Sequence, residues 1–222
     1  MSAVSPKLAL FEQFALVART LGHPQRLEIL EQLGQGPRSV DRLADKLGLP
    51  IANVSQHLQN MRRAGLVAAE RQGKFVVYRV AGASVLEAVS ALQKVAEANL
   101  AEVDKVVRGY FGERDSLEPV SREELQARMK DGLVTVLDVR PADEYALGHV
   151  PGAINVPLGE LEARLASIRP GQQVVAYCRG PYCVLSFEAV AELRKKGIAA
   201  HRLEGGMPEW IAAGLPTEVS DR

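Results

Sequence analysis

Cysteine is scarce in this chain: 222 residues hold two, Cys178 and Cys183. Two are too few for a disulfide scaffold, and so low a count suits a cytoplasmic protein whose thiols start out reduced. Aromatic residues make up only 5%, yet the apolar fraction of 47% is enough for a packed core. No stretch approaches the roughly 18 uninterrupted apolar residues of a membrane span. The opening MSAVSPKLALFEQF has an acidic residue inside its short apolar run and no cleavage-type site after it, so it is not read as a secretory signal. Charge of one sign is also missing. Lys and Arg number 27 and Asp and Glu 27, which excludes a uniformly basic nucleic-acid coat and a charge-driven disordered tail. No internal repeat or low-complexity tract is present.

The chain is nevertheless not uniform. At roughly 100–200 residues per domain, one or two domains are expected. The polar stretch from Gly112 to Pro119 separates two well-patterned regions, giving an expected division into residues 1–112, a linker over 113–118, and residues 119–222. Residues 1–115 carry 15 basic against 12 acidic residues, and the remainder carries 12 against 15, so the zero net charge is a sum of two opposite excesses. From Arg38 to Arg79 there are eight basic residues and three acidic ones. That local excess fits a nucleic-acid footprint, although a solvated helical face would look the same.

In the first half, residues 8–18 and 24–33 carry apolar residues at helical spacing, the second set including Leu27, Ile29, Leu30 and Leu33. Ser39 is placed to cap a helix through Leu43, Ala44 and Leu47. Gly48-Leu49-Pro50 breaks the chain, and a second helix runs to Ala64 with Gly65 placed to end it. Helix, tight turn, helix is the arrangement that seats a second helix in a major groove. That helix has two stripes. Ile51, Val54, Leu58 and Met61 should face the core, while Asn53, Gln56, His57 and Asn60 lie opposite, with Ser55 beside them. Asn and Gln pair with adenine edges through two hydrogen bonds, and Arg62 and Arg63 at the helix end suit phosphates. Two strand-like runs, Leu66–Ala68 and Phe75–Val80, flank Arg71-Gln72-Gly73-Lys74 and predict a hairpin with Arg71 and Lys74 near its tip.

The segments Leu21-Gly22-His23-Pro24-Gln25-Arg26-Leu27-Glu28-Ile29-Leu30, Val54-Ser55-Gln56-His57-Leu58 and Ala64-Gly65-Leu66-Val67 together resemble the ArsR-type winged helix-turn-helix repressors, over about residues 8–108. The resemblance implies a homodimer that binds a palindromic double-stranded operator and releases it when an effector binds. Metal-sensing members use cysteines in the helix before the recognition helix, or His and carboxylate residues in the last helix. Here Ser39–Leu47 has no cysteine and Ser84–Arg108 no histidine, so thiolate or imidazole ligation at those places is unavailable and no metal site is expected. Val85, Val89, Leu92, Ala96, Leu100, Val103 and Val107 form an apolar seam along an expected single helix, Ser84 to Arg108, of about six turns. It reads as a dimer contact, with packing inside one domain as the alternative.

In the second half, strand-like runs at Val134–Val139, Ala153–Val156, Gln173–Tyr177 and Ala200–Leu203 alternate with helical stretches at Pro141–Leu147, Leu161–Ile168 and Val184–Lys196. This predicts an α/β domain with a mainly parallel sheet, whose ligands bind beyond the carboxyl ends of its strands. Cys178 stands at such an end. The loop Arg179-Gly180-Pro181-Tyr182-Cys183 then leads to Val184 at a helix start. Loop amides and the helix dipole can converge on the sulfur, and Arg179 adds a cation, so the nucleophilic thiolate is favoured. A buried structural cysteine is the plain alternative.

Leu137-Asp138-Val139-Arg140, the run from Glu144 through Gly148-His149-Val150-Pro151-Gly152-Ala153 to Pro157, the Cys178 loop, and Leu203-Glu204-Gly205-Gly206-Met207-Pro208-Glu209-Trp210 closely resemble a rhodanese domain, over about residues 119–218. The whole is then a mainly-α winged helix-turn-helix domain followed by an α/β rhodanese-like domain. By this resemblance Cys178 attacks a sulfane sulfur, becomes a persulfide and passes the sulfur to a thiol or other acceptor, with no cofactor. Asp138 and Arg140 are expected to order the loop surroundings, Arg140 having a second option of binding an anionic donor. His149 reads as a turn residue, Trp210 as core, and Gly205-Gly206 as a tight turn near the rim, while His23 and His201 carry no assigned role. Related phosphatases place an Arg six residues after the cysteine; here Val184 stands there, so phosphate-ester chemistry is not expected. Cys183 is either a helix-start packing residue or a resolving thiol that attacks a Cys178 persulfide or sulfenic acid, and bridging requires Cα atoms within about 7 Å.

Three functions follow. The first is a repressor whose Cys178 senses reactive sulfur or redox state. The second is a thiosulfate-type sulfurtransferase in which the winged helix serves mainly for dimerisation. The third, ranked last, is a sensor of arsenic or another thiophilic ion using Cys178 and Cys183 as an incomplete ligand pair.

Overall fold

The computed structural model describes residues 5–111, 119–165 and 171–220, with the side chains of residues 110 and 111 left aside. The expected linker over 113–118 lies outside them. Packing divides the chain into two compact units, Met1–Val89 and Ser90–Arg222.

The first unit contains α1 (Pro6–Leu21), α2 (Pro24–Gly34), β1 (Arg38–Ser39), α3 (Val40–Leu47), α4 (Ile51–Arg63), β2 (Val67–Gln72), β3 (Phe75–Val80) and the start of α5 (Ala83–Asn99). Ser39 caps α3 by accepting a hydrogen bond from the Arg42 amide at 3.4 Å. Gly48 ends that helix at φ +63°, a left-handed turn that costs a residue without Cβ little. Leu30, Leu33, Leu43, Val54, Leu58 and Met61 meet in one core, so the apolar stripe of α4 faces inward. Ile51 is the exception and is exposed. β2 and β3 form the hairpin, Gln72 opposite Phe75, and the short β1 adds an edge beside β3. Arg38 on β1 is buried, its Nε 3.5 Å from the Gln32 carbonyl, so its charge does not belong to the exposed basic surface counted from sequence.

The single helix expected over Ser84–Arg108 is two helices, α5 and α6 (Ala101–Phe111), parted at Leu100. Asn99 donates its side-chain N–H to the Val95 carbonyl at 2.8 Å, and the Val103 amide closes onto Leu100 at 3.0 Å. A short amide side chain that bonds nearby backbone competes with the helical ladder. The apolar seam divides accordingly. Val85 is buried and Val89 packs on the first core, whereas Leu92 and Leu100 are exposed.

The second unit adds α7 (Arg122–Lys130), β4 (Val134–Asp138), α8 (Ala142–Tyr145), β5 (Ile154–Asn155), β6 (Gln173–Tyr177), α9 (Val184–Lys195), β7 (Ala200–Arg202) and α10 (Met207–Ala212). The four strands run in the order β5-β4-β6-β7 and pair in parallel throughout. Successive strand residues point to opposite faces. Leu137, Val139, Val174, Ala176 and Cys178 therefore share one face with Ala189, Val190 and Leu193 of α9. Val136, Val175 and Tyr177 share the other with Leu125 of α7 and Trp210 of α10. The helix expected from Leu161 to Ile168 is instead a 3-10 turn at Leu158–Glu160 followed by turns to Leu165. Residues 166–168 lie outside the described set. No described helix is long and apolar enough to cross a membrane.

Candidate functional site

The candidate residues named from sequence fall in two regions, one in each unit. On α4, Asn53, Gln56, Arg62 and Arg63 are exposed, and Ser55, His57 and Asn60 are half-buried. Gln56 Nε2 donates to Asn60 Oδ1 at 3.2 Å, one turn along. Arg71 and Lys74 are exposed on the hairpin, where Arg71 Nε donates to the Gly73 carbonyl at 3.2 Å and Lys74 lies over the Phe75 ring at 5.2 Å. These groups share the polar stripe and the wing tip. His57 is turned inward. Its Nε2 is 2.9 Å from Gln25 Oε1, and its ring lies 4.6 Å from that of His23, just before α2. Burial, then the neighbouring His23 and Arg26, push its pKa below the ordinary value.

The second region is built around the carboxyl end of β6. Cys178 is fully buried, and Cys183 is the N-cap of α9, half-buried against the same core. Their Cα atoms are 6.1 Å apart, and the sulfurs are joined as a disulfide. That Cα separation lies in the usual range for a bridge. The turn that achieves it is closed by the Cys183 amide donating to the Gly180 carbonyl at 3.2 Å. One loop amide is thereby spent on the turn rather than aimed at the Cys178 sulfur. Two clefts of this unit, of about 540 and 560 Å³, are lined by neither Cys178 nor Cys183.

Arg179 is engaged as well. Its Nε and Nη2 each donate to a different Glu144 oxygen at 2.9 Å, and Glu144 is fully buried. A forked pair of this kind holds the planar guanidinium in direction as well as position. The cation assigned to the thiolate is therefore largely balanced by a carboxylate that sequence reading quoted within a motif but gave no role. Its helix, Ala-Asp-Glu-Tyr behind Pro141, exposes Ala142 and Asp143 and buries only Glu144, so no pattern of the sequence marked that residue.

Gly206 was also underrated as a turn residue. A Cβ there would lie 2.4 Å from the Gly180 nitrogen and 2.5 Å from the Cys178 carbonyl oxygen. Backbone meets backbone at that point, so only glycine fits. The Met207 amide completes the contact by donating to Cys178 O at 3.1 Å. Gly206 N–H donates to Glu209 Oε2 at 2.8 Å, and burial holds the Glu209 carboxyl above its usual range despite that bond.

Asp138 and Arg140 pair behind the sheet. Arg140 Nε lies 3.0 and 3.1 Å from the two Asp138 oxygens, Nη2 donates to Gly148 O at 2.8 Å, and Tyr177 O–H donates to Asp138 Oδ2 at 2.6 Å. Asp138 and Tyr177 are opposite one another on neighbouring strands, so their side chains share a face. Burial pulls the Arg140 guanidinium down, but the hydrogen bond and charge of Asp138 outweigh it and raise its pKa. Burial and Asp138 push the Tyr177 phenol well up. Neither Asp138 nor Arg140 exposes any surface, so this pair is placed to hold the strand ends rather than to receive an anion. His149 donates through Nδ1 to the Tyr145 carbonyl at 3.0 Å and stacks on the Tyr145 ring, while Trp210 is core. His201 is half-buried on β7. Tyr182 donates its O–H to Glu97 of α5. Among the described residues, no group of three or more His, Cys, Asp or Glu side chains is placed to hold a metal.

A rhodanese-like domain model matches residues 121–213, and a helix-turn-helix domain model matches residues 21–69. The HTH-type transcriptional regulator Rv0324 of Mycobacterium tuberculosis is 42% identical over 96% of this chain and 93% of its own length. The chain belongs to the HTH-type transcriptional regulators, in a form that carries a rhodanese-like domain. Partial likenesses fall on each half of this regulator. A sulfurtransferase of Allochromatium vinosum is 32% identical over 44% of this chain and 91% of its own length. A solved structure of a homodimeric winged helix-turn-helix DNA-binding domain from Mycobacterium bovis, described as a possible ArsR-family regulator, is 38% identical, covers 45% of this chain and 94% of its own, and has a TM-score of 0.41.

Proposed function

We propose that this regulator is a cytoplasmic, dimeric repressor that binds a palindromic operator through α4 and the β2–β3 hairpin and senses reactive sulfur through Cys178, which accepts sulfane sulfur as a persulfide. The observation that carries the reading is the position of Cys178. It ends a central strand of the parallel sheet, immediately before the loop that starts α9, where ligands of such sheets bind. Exposed Asn53, Gln56, Arg62, Arg63, Arg71 and Lys74 support the DNA half. Exposed Leu92 on α5 and Leu100 just beyond its end support a second copy as partner.

The test is a gel shift on the chain's own upstream DNA with and without a persulfide donor. The donor should weaken the complex of the wild-type chain and leave that of Cys178→Ser unchanged; an equal response in both abolishes the sensing claim. A sulfurtransferase proper is the second reading, favoured by the likeness of this half to a protein named as one. Sustained thiosulfate:cyanide turnover, with no operator retained at physiological salt, would establish it instead.

A further inference from the structure

Cys183 has no task in the persulfide reading, yet the fold brings its Cα to 6.1 Å from that of Cys178 and joins the two sulfurs. Only the turn Arg179–Tyr182 separates them. That turn is held by the Gly180–Cys183 hydrogen bond, by the Arg179–Glu144 fork and by the backbone of Gly206 pressed on Gly180. A second thiol held this close competes with any free acceptor at the advantage of an intramolecular reaction. Cys178 is fully buried while Cys183 is half-buried, so the neighbouring cysteine reaches the first sulfur more readily than a thiol from solution. Cys183 also caps α9, a twelve-residue helix whose N-terminal end favours negative charge.

We infer that Cys183 is the resolving residue of this site: it discharges the Cys178 persulfide as hydrosulfide and leaves the Cys178–Cys183 disulfide as the signalling state. The inference rests on the persulfide reading above. In the first step the Cys178 thiolate takes the outer sulfur of a persulfide or polysulfide donor, and the donor leaves as a thiolate. In the second step the Cys183 thiolate attacks Cys178 Sγ. The Sγ–Sγ bond forms, the bond from Cys178 Sγ to the outer sulfur breaks, and the electron pair departs on hydrosulfide. Two thiols are oxidised, one sulfane sulfur is reduced to sulfide, and two equivalents of a low-molecular-weight thiol reset the pair. Such a site fires once for each reduction, as suits a sensor, and retains little sulfur for transfer.

The test treats the reduced full-length chain with a low-molecular-weight organic persulfide, whose leaving group is a thiolate, removes the excess, and reads intact mass together with sulfide released. The wild-type chain should lose the mass of two hydrogens and release about one sulfide per chain, since each disulfide closure frees one hydrosulfide. Cys183→Ser should gain the mass of one sulfur atom and release none, and its cyanide-dependent thiocyanate yield should rise above that of the wild type. A wild-type chain that keeps the added sulfur as Cys183→Ser does would overturn the resolving role and leave the persulfide reading standing. A bridged chain that retains the sulfur, with no sulfide released, would overturn displacement at Cys178 Sγ. Failure of Cys183→Ser to gain sulfur, while it still binds operator, would remove the persulfide reading itself.

Discussion

The stripe of α4 proposed to face DNA and the Cys178 site are held in opposite ways. On α4, Gln56 donates to Asn60 one turn along, and Gln56, Arg62 and Arg63 are exposed. Around Cys178, by contrast, nearly every polar group is buried and paired: Asp138 with Arg140 and Tyr177, Glu144 with Arg179, and Gly206 against the loop backbone. The difference teaches that a polar surface can be read from the outside of one helix, whereas a buried sulfur is framed from several elements. Substitutions in the first region should cost binding and spare the fold. In the second they should cost the fold and the chemistry together.

The sharpest break in that contrast is Asp138→Ala. It strands a fully buried guanidinium and removes the Tyr177 bond, and breaking a buried pair from one side costs about 3–5 kcal/mol. Urea unfolding should show the rhodanese-like half melting much earlier while the winged-helix transition stays in place; an unshifted midpoint would mean that the network is ornamental. Gly206→Ala comes next. With backbone 2.4 Å from the added carbon, the loop or α10 must move, at about 1–3 kcal/mol for overpacking. Slower Cys178–Cys183 closure in a thiol–disulfide buffer, at unchanged operator affinity, is the expected outcome.

On the other side of the comparison, Gln56→Ala should lose about 1–3 kcal/mol of discrimination between operator and mutated operator with no change in thermal unfolding. Lys74→Ala should weaken all DNA alike and lower the slope of log affinity against log salt by about 1. Discrimination left intact in Gln56→Ala would mean that the reading stripe is misplaced.

The smallest effect concerns His57. Burial, His23 and Arg26 hold its folded pKa below 6.5, so the unfolded chain binds the proton more readily. The stability this contributes is complete above pH 6.5 and is lost as pH falls through the lower folded value. Urea midpoints of the first transition should fall on acidification, and His57→Gln should flatten that dependence.

Much of this was legible because it is local. The strand, Cys178, the loop and the α9 start are consecutive in the chain, and the two stripes of α4 follow from one helical period. The sulfur-bearing loop could therefore be located, and the sheet around it anticipated as parallel. What escaped depends on residues far apart. Glu144 meets Arg179 across 35 positions and His57 meets Gln25 across 32, and neither spacing leaves a periodic trace. Arg38 counts as a surface charge in any tally of composition, but the β1–β3 pairing buries it. The break at Leu100 falls inside an unbroken apolar rhythm, beside an Asn99 side chain that bonds the Val95 carbonyl, and the rhythm gives no sign of it.

The two regions act as one device only if the state of the sulfurs and the occupancy of α4 are linked, and linkage is reciprocal. The decisive measurement is the dithiol–disulfide midpoint of Cys178 and Cys183 in the full-length chain, poised against a thiol buffer with and without operator DNA. Operator should favour the dithiol and move the equilibrium by at least about five-fold, the lower end of usual coupling between sites. An identical midpoint in the presence and absence of saturating operator would contradict the account.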